Sequence, residues 1–339
     1  MARIVKRSHT NSLRKTGEFG LIRKIGKQFP SRDRSVLLGI GDDAAVIKPS
    51  PGKVLLMTVD TVREGVHYLS SREDAGSVGW KSLAVSLSDI AAMGGRPRFL
   101  LVSLALPPGY SLPKFDRFFQ GMKRLLARYS VSLIGGNISR ARDFSADTTL
   151  VGEADPKSVL RRSGASVGDL IYVTGTLGDS AAGLELLKRG IGSGPLVRRH
   201  LRPEPRVQEG IVLAEQRLAT AAIDVSDGLL QDLSHLCESS RVGARIHADA
   251  IPSSPALRKH GSDLKMGPID YALSGGEDYE LLFTVRPDDR EKVEAVGRKK
   301  KLRWTRIGEI VRQKQGVTLT VSGAASRRTT VLGYDHFRI

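Results

Sequence analysis

Carboxylates recur along this chain on short turns rich in glycine and serine, at spacings that set several of them on common faces. Gly39-Ile40-Gly41-Asp42-Asp43 places two acids where glycines permit close backbone approach. Adjacent side chains of an extended segment point opposite ways, so only one of this pair is expected to face a shared site. In Met57–Thr61 the period of two puts Thr58 and Asp60 on one face and Val59 on the other. Ser86-Leu87-Ser88-Asp89 falls within a helical pattern, where Ser86 and Asp89 share a side. The run Ile223–Gly228 combines both geometries. Asp224 and Ser226 share a strand face, and Ser226-Asp227 leads into a helix whose first N–H groups and dipole favour phosphate. Gly275-Gly276-Glu277-Asp278-Tyr279 is the last turn of this kind.

Oxygen donors of this type suit a hard cation, and no cluster of histidine or cysteine competes for a softer one. Magnesium ions bridge polyphosphate oxygens and neutralise their charge, so the set points to Mg²⁺ with a nucleotide. Asp, Ser and Gly are also the ordinary residues of turns and helix caps. Asp89 is the exception, because it sits well inside a helical pattern beside Ile90, Ala91 and Ala92. The familiar nucleotide devices are missing. Gly76-Ser77-Val78-Gly79-Trp80-Lys81-Ser82 is a near miss to a phosphate loop, and it lies in a helix. HExxH and GxSxG are absent, as is a GxGxxG between strand and helix. The residues alone therefore reach a Mg²⁺-nucleotide enzyme, with the phosphoryl acceptor and the number of ions left open.

The positioning elements follow from periodicity. Glu18–Phe29 reads as a short amphipathic helix, and Val36–Ile47 and Val54–Val59 as strands broken at Gly41-Asp42-Asp43. Asp74–Met93 is a long helix stopped by Gly94-Gly95 and Pro97. Strands at Phe99–Leu106, Val131–Ile134 and Asp147–Ala154, with a helix at Phe115–Tyr129, complete a first α/β half. A second half has strands at Leu170–Thr174, Ala221–Val225, Gly243–His247 and Tyr279–Val285. Its helices are expected near Ala181–Lys188, Glu204–Leu218 and Gly228–Cys237. The expected organisation is a basic, disordered tail over residues 1–16, an N-terminal domain over 17–156 and a C-terminal domain over 157–339. The fold class is α/β (α+β), two domains with mixed sheets packed with helices.

The 339 residues carry 53 basic and 36 acidic side chains, a net charge of +17. A basic surface attracts polyanions, so nucleic acid is a partner to consider. Much of the excess lies in clusters: Arg3, Lys6, Arg7, Arg14 and Lys15, then Arg298, Lys299, Lys300, Lys301 and Arg303. Aromatic residues are few and are not interleaved with these clusters, which favours a solvated basic surface over a stacking platform. The longest apolar runs, such as Phe99–Leu106, fall far short of the roughly 20 residues that span a bilayer. The basic N-terminus lacks the apolar stretch of a secretory signal. The lone Cys237 excludes an intramolecular disulfide. A soluble cytoplasmic protein is expected.

Several segments, taken together and in order, resemble thiamine-monophosphate kinases. They are GEFGLI (17–22), GIGDDAAV (39–46), TVDTVREGVHY (58–68), KSLAVSLSDIAAMGG (81–95), LIGGNISR (133–140), RSGASVGDLIYVTGTLGDSAAGL (162–184), RHLRPEPR (199–206), IDVSDGLLQDLSH (223–235), LSGGEDYELLFT (273–284) and GYDHF (333–337). The chain is similar more distantly to the aminoimidazole ribonucleotide synthetase and selenophosphate synthetase superfamily, which implies that superfamily's two-domain fold. The resemblance implies ATP-dependent phosphorylation of thiamine monophosphate to thiamine diphosphate, the last step of that cofactor's biosynthesis, by direct in-line transfer. It implies Mg²⁺ as cofactor, ATP as co-substrate and a homodimer joined through the N-terminal domains, with no role for a membrane. It assigns Asp43, Asp60, Asp89, Asp224 and Asp227 to Mg²⁺, with Thr58 and the Val59 carbonyl as lesser contacts. Gly136, Asn137, Arg162 and Ser226 match ATP positions, and His67, Glu277 and Tyr334 match thiamine-phosphate positions. No general base is nominated, because the acceptor phosphate oxygen is already ionised.

One position departs from the family's pattern. Where a Gly-Gly-Asp turn is usual, this chain has Gly135-Gly136-Asn137. Asn137 keeps an oxygen donor for metal and removes one negative charge, so either one metal binds more weakly or Asp143 or Asp147 supplies the charge. Two other readings stand beside the kinase. One is an ATP-using enzyme of the same superfamily with a different small substrate. The other is a nucleic-acid-associated protein with a degenerate kinase body.

Overall fold

The computed structural model describes residues 13–260, 264–321 and 327–328. Its described residues divide into two compact units. One takes residues up to 51, 57–86 and 97–151, and the other takes 52–56, 87–96 and 152 onward. The units are therefore discontinuous in sequence, where a single cut near residue 157 is expected.

Helix α1 (Leu13–Gln28) is broken at Gly17, whose φ of 65° and ψ of 167° are not helical. The turn before that break occupies residues assigned to the tail, and the helix proper begins at Glu18 as periodicity requires. The rest of the tail, residues 1–12, lies outside the described residues. Strands β1 (Val36–Leu38) and β2 (Val46–Ile47) pair antiparallel. They pack against Phe99, Ile134 and Val151 through Val36, Ala45 and Ile47. Strand β3 (Val54–Arg63) follows, then helix α2 (Ala75–Ala92), strand β4 (Arg96–Leu106), helix α3 (Leu112–Tyr129) and strands β5 (Ser132–Arg140) and β6 (Ser145–Ala154). The sheet order is β3-β6-β4-β5, with β4 and β5 parallel.

Two helices show how local sequence sets this half. Ser111 caps α3 by accepting from Lys114 N–H, and Pro113 occupies the first turn, where its missing donor costs nothing. Phe115, Phe118, Phe119, Met122, Leu125 and Leu126 then recur at helical spacing and are all buried, each contributing about 1.5–3 kcal/mol. Helix α2 starts on Asp74, whose Oδ1 accepts from Gly76 and Ser77 N–H at 2.8 and 3.2 Å. From Gly76 to Ala92 every residue but Asp89 is buried. The glycines of α2 and α3 permit a close crossing: a Cβ on Gly121 would lie 1.8 Å from the Gly76 carbonyl oxygen.

The second half holds β7 (Leu170–Thr174), α4 (Asp179–Lys188), α5 (Pro195–Leu201), α6 (Val207–Glu215), β8 (Ala221–Val225), α7 (Leu229–Ser240) and β9 (Gly243–His247). It continues through α8 (Pro255–His260), α9 (Pro268–Ser274), β10 (Glu280–Val285), α10 (Arg290–Lys300), β11 (Trp304–Val311), β12 (Val317–Thr320) and β13 (Arg327–Arg328). The sheet order is β13-β12-β9-β11-β7-β10-β8, antiparallel except for the parallel pair β12–β9. Its core is apolar, with Ile171, Val173, Ile223, Val225, Leu233 and Leu282 among the buried residues. Helix α5, whose Pro195 opens the first turn, falls between Lys188 and Glu204, where no element is expected. No membrane-spanning helix is present among the described residues.

Candidate functional site

In the unit that takes residues 57–86 the predicted residues lie in the β1–β2 turn and on β3, whereas Asp89 on α2 belongs to the other unit. Asp43 sits in the exposed turn between β1 and β2. The break expected at Gly41-Asp42-Asp43 is a turn, in which Asp42 Oδ1 accepts from Asp43 N–H at 2.9 Å. On β3, Thr58 and Asp60 are partly covered while Val59 is exposed, as the alternation requires. Asp60 Oδ2 accepts from Ser86 Oγ at 2.7 Å, and Ser86 Oγ lies 2.9 Å from Thr148 Oγ1 on β6. The helix position three before Asp89 thus serves to hold the Asp60 carboxylate. His67 closes the turn after β3, its Nδ1 accepting from Arg63 N–H at 3.1 Å and its carbonyl accepting from the buried Lys81 at 3.3 Å.

Gly136 shows why its motif demands glycine. A bulge in the β4–β5 register sets Leu101 opposite Gly135, Val102 opposite Gly136 and Ser103 opposite Asn137. At Gly136 φ is 150°, and a Cβ there would lie 1.9 Å from the Val102 carbonyl oxygen. Gly136 and Asn137 are exposed on β5. Of the two candidates for Asn137's missing charge, Asp147 lies two strands away. β4 separates β5 from β6, and Asp147 Oδ1 on β6 accepts from Thr61 Oγ1 at 2.5 Å. Asp143 is exposed in the β5–β6 turn.

In the C-terminal unit the β8–α7 turn concentrates the chemistry. Asp224 is buried and its Oδ2 accepts from Ser88 Oγ at 2.8 Å. Asp227 Oδ2 accepts from Gln231 Nε2 at 3.2 Å. The N–H groups of Ser226, Asp227 and Gly228 do not await phosphate, as the sequence suggests. Each donates to Oδ2 of Asp232 at 3.1 Å. Sequence periodicity shows Asp232 only as a helical residue, because a carboxylate four residues into the helix reaches back to the turn only once the turn's shape is known. The Asp232 carboxyl is pushed up to about 8, by burial first and then by the charges of Asp224 and Asp227, against the pull of those amides. Such a concentration of hard, acidic oxygen suits a divalent cation in type. Among the described residues, however, no three His, Cys, Asp or Glu side chains converge into a metal centre as placed.

Arg162 is exposed, but its backbone is fastened: its carbonyl accepts from Ser240 Oγ at 2.9 Å, and Arg161 O accepts from Ala222 N–H at 2.8 Å. Glu277 is joined to the β8–α7 turn through its N–H, which donates to Ser226 O at 2.7 Å. Glu277 and Tyr279 both hold left-handed backbone, with φ of 65° and 52°. Side chains rarely accept that conformation, and it costs on the order of 1–2 kcal/mol per residue. Tyr334 lies outside the described residues.

What holds this turn is a buried network that the sequence motifs conceal. Glu280 is fully buried, and its Oε1 accepts from Arg199 Nη2 at 2.6 Å and Arg206 Nη2 at 2.5 Å. Its Oε2 accepts from Arg206 Nε and Thr174 Oγ1, each at 2.5 Å. A Cβ on Gly175 would fall 2.2 Å from Oε1, so glycine there is what admits the carboxylate. Asp278, next but one, accepts from Gly178 N–H at 2.6 Å and Ser180 N–H at 3.2 Å, and burial pushes its carboxyl up to about 8. Buried His200 places Nδ1 3.2 Å from Glu277 Oε2 and also 3.2 Å from Ser180 Oγ. Segments 175–180, 199–206 and 275–280 are thus one construction.

Comparison with known proteins follows the same two halves. Residues 41–154 match the AIR synthase related protein N-terminal domain, and residues 166–320 match its C-terminal domain. A thiamine-monophosphate kinase from Buchnera aphidicola subsp. Acyrthosiphon pisum is 39% identical over 89% of this chain and 93% of its own length. The chain belongs to the thiamine-monophosphate kinase family. A crystal structure of thiamine-monophosphate kinase from Stenotrophomonas maltophilia has a TM-score of 0.79 at 39% identity, covering 89% of this chain and 95% of that one. AaThiL complexed with AMPPCP and TMP has a TM-score of 0.75 at 37% identity, covering 97% of this chain and 100% of that one. The family's two-domain fold is the fold of this chain.

Burial works to raise the Glu280 carboxyl, but the charges and hydrogen bonds of Arg206 and Arg199 outweigh it and hold the group below its ordinary 4.5. A depressed carboxyl stabilises the fold above its unfolded value and loses that contribution as pH falls through the folded one. Glu280→Gln strands two guanidinium groups in the interior and is expected to cost about 3 kcal/mol or more near neutral pH. Thermal unfolding of the two proteins should show a gap that is constant down to pH about 4.5 and narrows in stronger acid. An equal midpoint at pH 7 would remove Glu280 from this role.

Proposed function

We propose that this protein transfers the γ-phosphoryl group of ATP to thiamine monophosphate, giving ADP and thiamine diphosphate. The observation that carries this reading is the likeness, over nearly the whole chain, to AaThiL complexed with AMPPCP, an ATP analogue, and TMP. In the proposed step the bond from the γ-phosphorus to the β–γ bridging oxygen breaks, and a bond to a terminal oxygen of the thiamine phosphate forms. The acceptor is already anionic, so alignment and charge cancellation dominate and no side chain is required as a base.

Mg²⁺, when bound, would cancel charge on the polyphosphate oxygens. The residues proposed to hold it are Asp43, Asp60, Asp89, Asp224 and Asp227, with Thr58, the Val59 carbonyl and Asn137. Their support is chemical: all offer hard oxygen, and Asp89 is the one residue of its buried helix segment open to solvent. Gly136, Asn137, Arg162 and Ser226 are proposed to contact ATP, the exposed Arg162 guanidinium clamping phosphate from a fastened backbone. Glu277 is proposed to face the cationic heterocycle of thiamine, with His67 and Tyr334 completing that site. The Ser226–Glu277 main-chain bond supports this arrangement by tying an ATP position to a substrate position. A homodimer through the N-terminal unit belongs to the same reading. Its support is edge strand β3, which exposes Met57 at 69% and Val59 at 66%, an apolar stripe unusual on a solvated edge. A cytoplasmic location is proposed with it.

Purified protein given Mg²⁺, ATP and thiamine monophosphate should form ADP in a coupled assay; a folded sample that forms none overturns the reading. Asp89→Asn should lower kcat by about 100-fold or more with unchanged circular dichroism, and wild-type turnover would contradict its metal role. Asn137→Asp restores a charge and should lower the Mg²⁺ concentration for half-maximal rate, an unchanged requirement arguing against Asn137 as a ligand. Light scattering should return twice the chain mass for the wild type, and a monomer would remove the dimer.

A further inference from the structure

A second concave site lies in the C-terminal unit, remote in sequence from every candidate residue discussed above. A cleft of about 380 Å³ is bounded by the end of α10 and the start of β11. Helix α10 finishes in Arg298-Lys299-Lys300 and is capped by Lys301 in left-handed backbone. β11 then begins at Trp304, and the period of two sets Arg306 on the same side as Trp304. The basic cluster that reads in sequence as a solvated surface is therefore folded around an aromatic ring.

Arg298, Lys301, Arg303 and Arg306 line the cleft and are exposed. Among the described residues none of them lies within salt-bridge distance of a carboxylate. The cleft's own acid, Glu294, is matched by Arg290 at 3.0 Å. The cleft therefore carries uncompensated positive charge.

Its ring is held in place and incompletely satisfied. Trp304 packs on Gly297, where a Cβ would come 3.4 Å from the indole, and meets Phe283 edge-on at 5.6 Å. The indole Nε1–H is buried and has no acceptor among the described residues. A buried donor left without an acceptor costs about 1–3 kcal/mol, and Trp normally finds one. A cavity of this size, with an aromatic wall and several guanidinium groups, matches a flat heterocycle joined to phosphate. A simple anion would use the cations and leave the ring idle.

We propose that this cleft binds a nucleotide, its base against Trp304 and its phosphate held by Arg298, Arg303 and Arg306. The nucleotide is either free or one unit of a single strand, since both present the same chemistry. The test is tryptophan fluorescence of the full chain titrated with AMP, with an octaadenylate and with inorganic diphosphate. AMP should quench the emission, and Trp304→Phe should abolish that change even though Trp80 remains. The double variant Arg298→Glu, Arg303→Glu should weaken binding by about ten-fold or more with unchanged circular dichroism. Diphosphate alone should not quench but should compete. An octaadenylate bound about ten-fold more tightly than AMP assigns a strand, and equal affinity assigns the free nucleotide. No quenching by AMP or octaadenylate up to about 10 mM, or quenching undiminished in the charge-reversed variant, overturns the proposal.

Discussion

The buried carboxylate of Glu280, gripped by Arg199 and Arg206, is the constraint on which the C-terminal candidate residues depend. Isolated in the interior, any one of these charges would be prohibitively costly; together, with Thr174 filling the remaining lone pair, they form a closed set. The arginines arrive on and just after α5, the acid at the start of β10 and the threonine at the end of β7. Their mutual requirement therefore fixes the relative placement of elements that share little sequence proximity. Asp278 extends the same logic to the start of α4. Glu277 immediately precedes these two anchored acids, and its own N–H is spent on Ser226.

The β8–α7 turn is organised by a related device of opposite character. Asp232 satisfies three consecutive amides with one oxygen, so the turn keeps its shape through internal bonds. Asp224 and Asp227 flank that turn and are held by Ser88 and Gln231. On the N-terminal side Ser86 and Thr148 do the same for Asp60. In each case a neutral hydroxyl or amide holds the carboxylate, which fixes direction without cancelling charge.

Much of this was legible in the residues. Helix α2, the alternation on β3 and strands β7, β8 and β9 follow directly from periodicity, because each has a long or fully apolar pattern. The identities of Asp60, Asp89 and Asp224 as polar intrusions in such patterns were equally visible. The turn at Gly41-Asp42-Asp43 was visible too, because glycine and aspartate break the strand pattern there. The role of Asp232 and the Glu280 network were hidden for a different reason: each depends on residues about five to a hundred apart meeting in space, which spacing rules do not encode. The elements after residue 290 are hidden because a charge-rich helix and short strands give weak patterns.

Glu277 and Tyr279 stand in left-handed backbone that glycine would adopt without strain. The chain keeps bulky side chains there, and the neighbouring ion network absorbs the deficit. This is a local exchange of thermodynamic stability for side-chain presence, of the kind that makes a functional turn the poorest place to look for consensus-style stabilisation. Glycine at either position would relieve that strain, but it would remove the carboxylate that His200 meets at Glu277 and a buried ring at Tyr279.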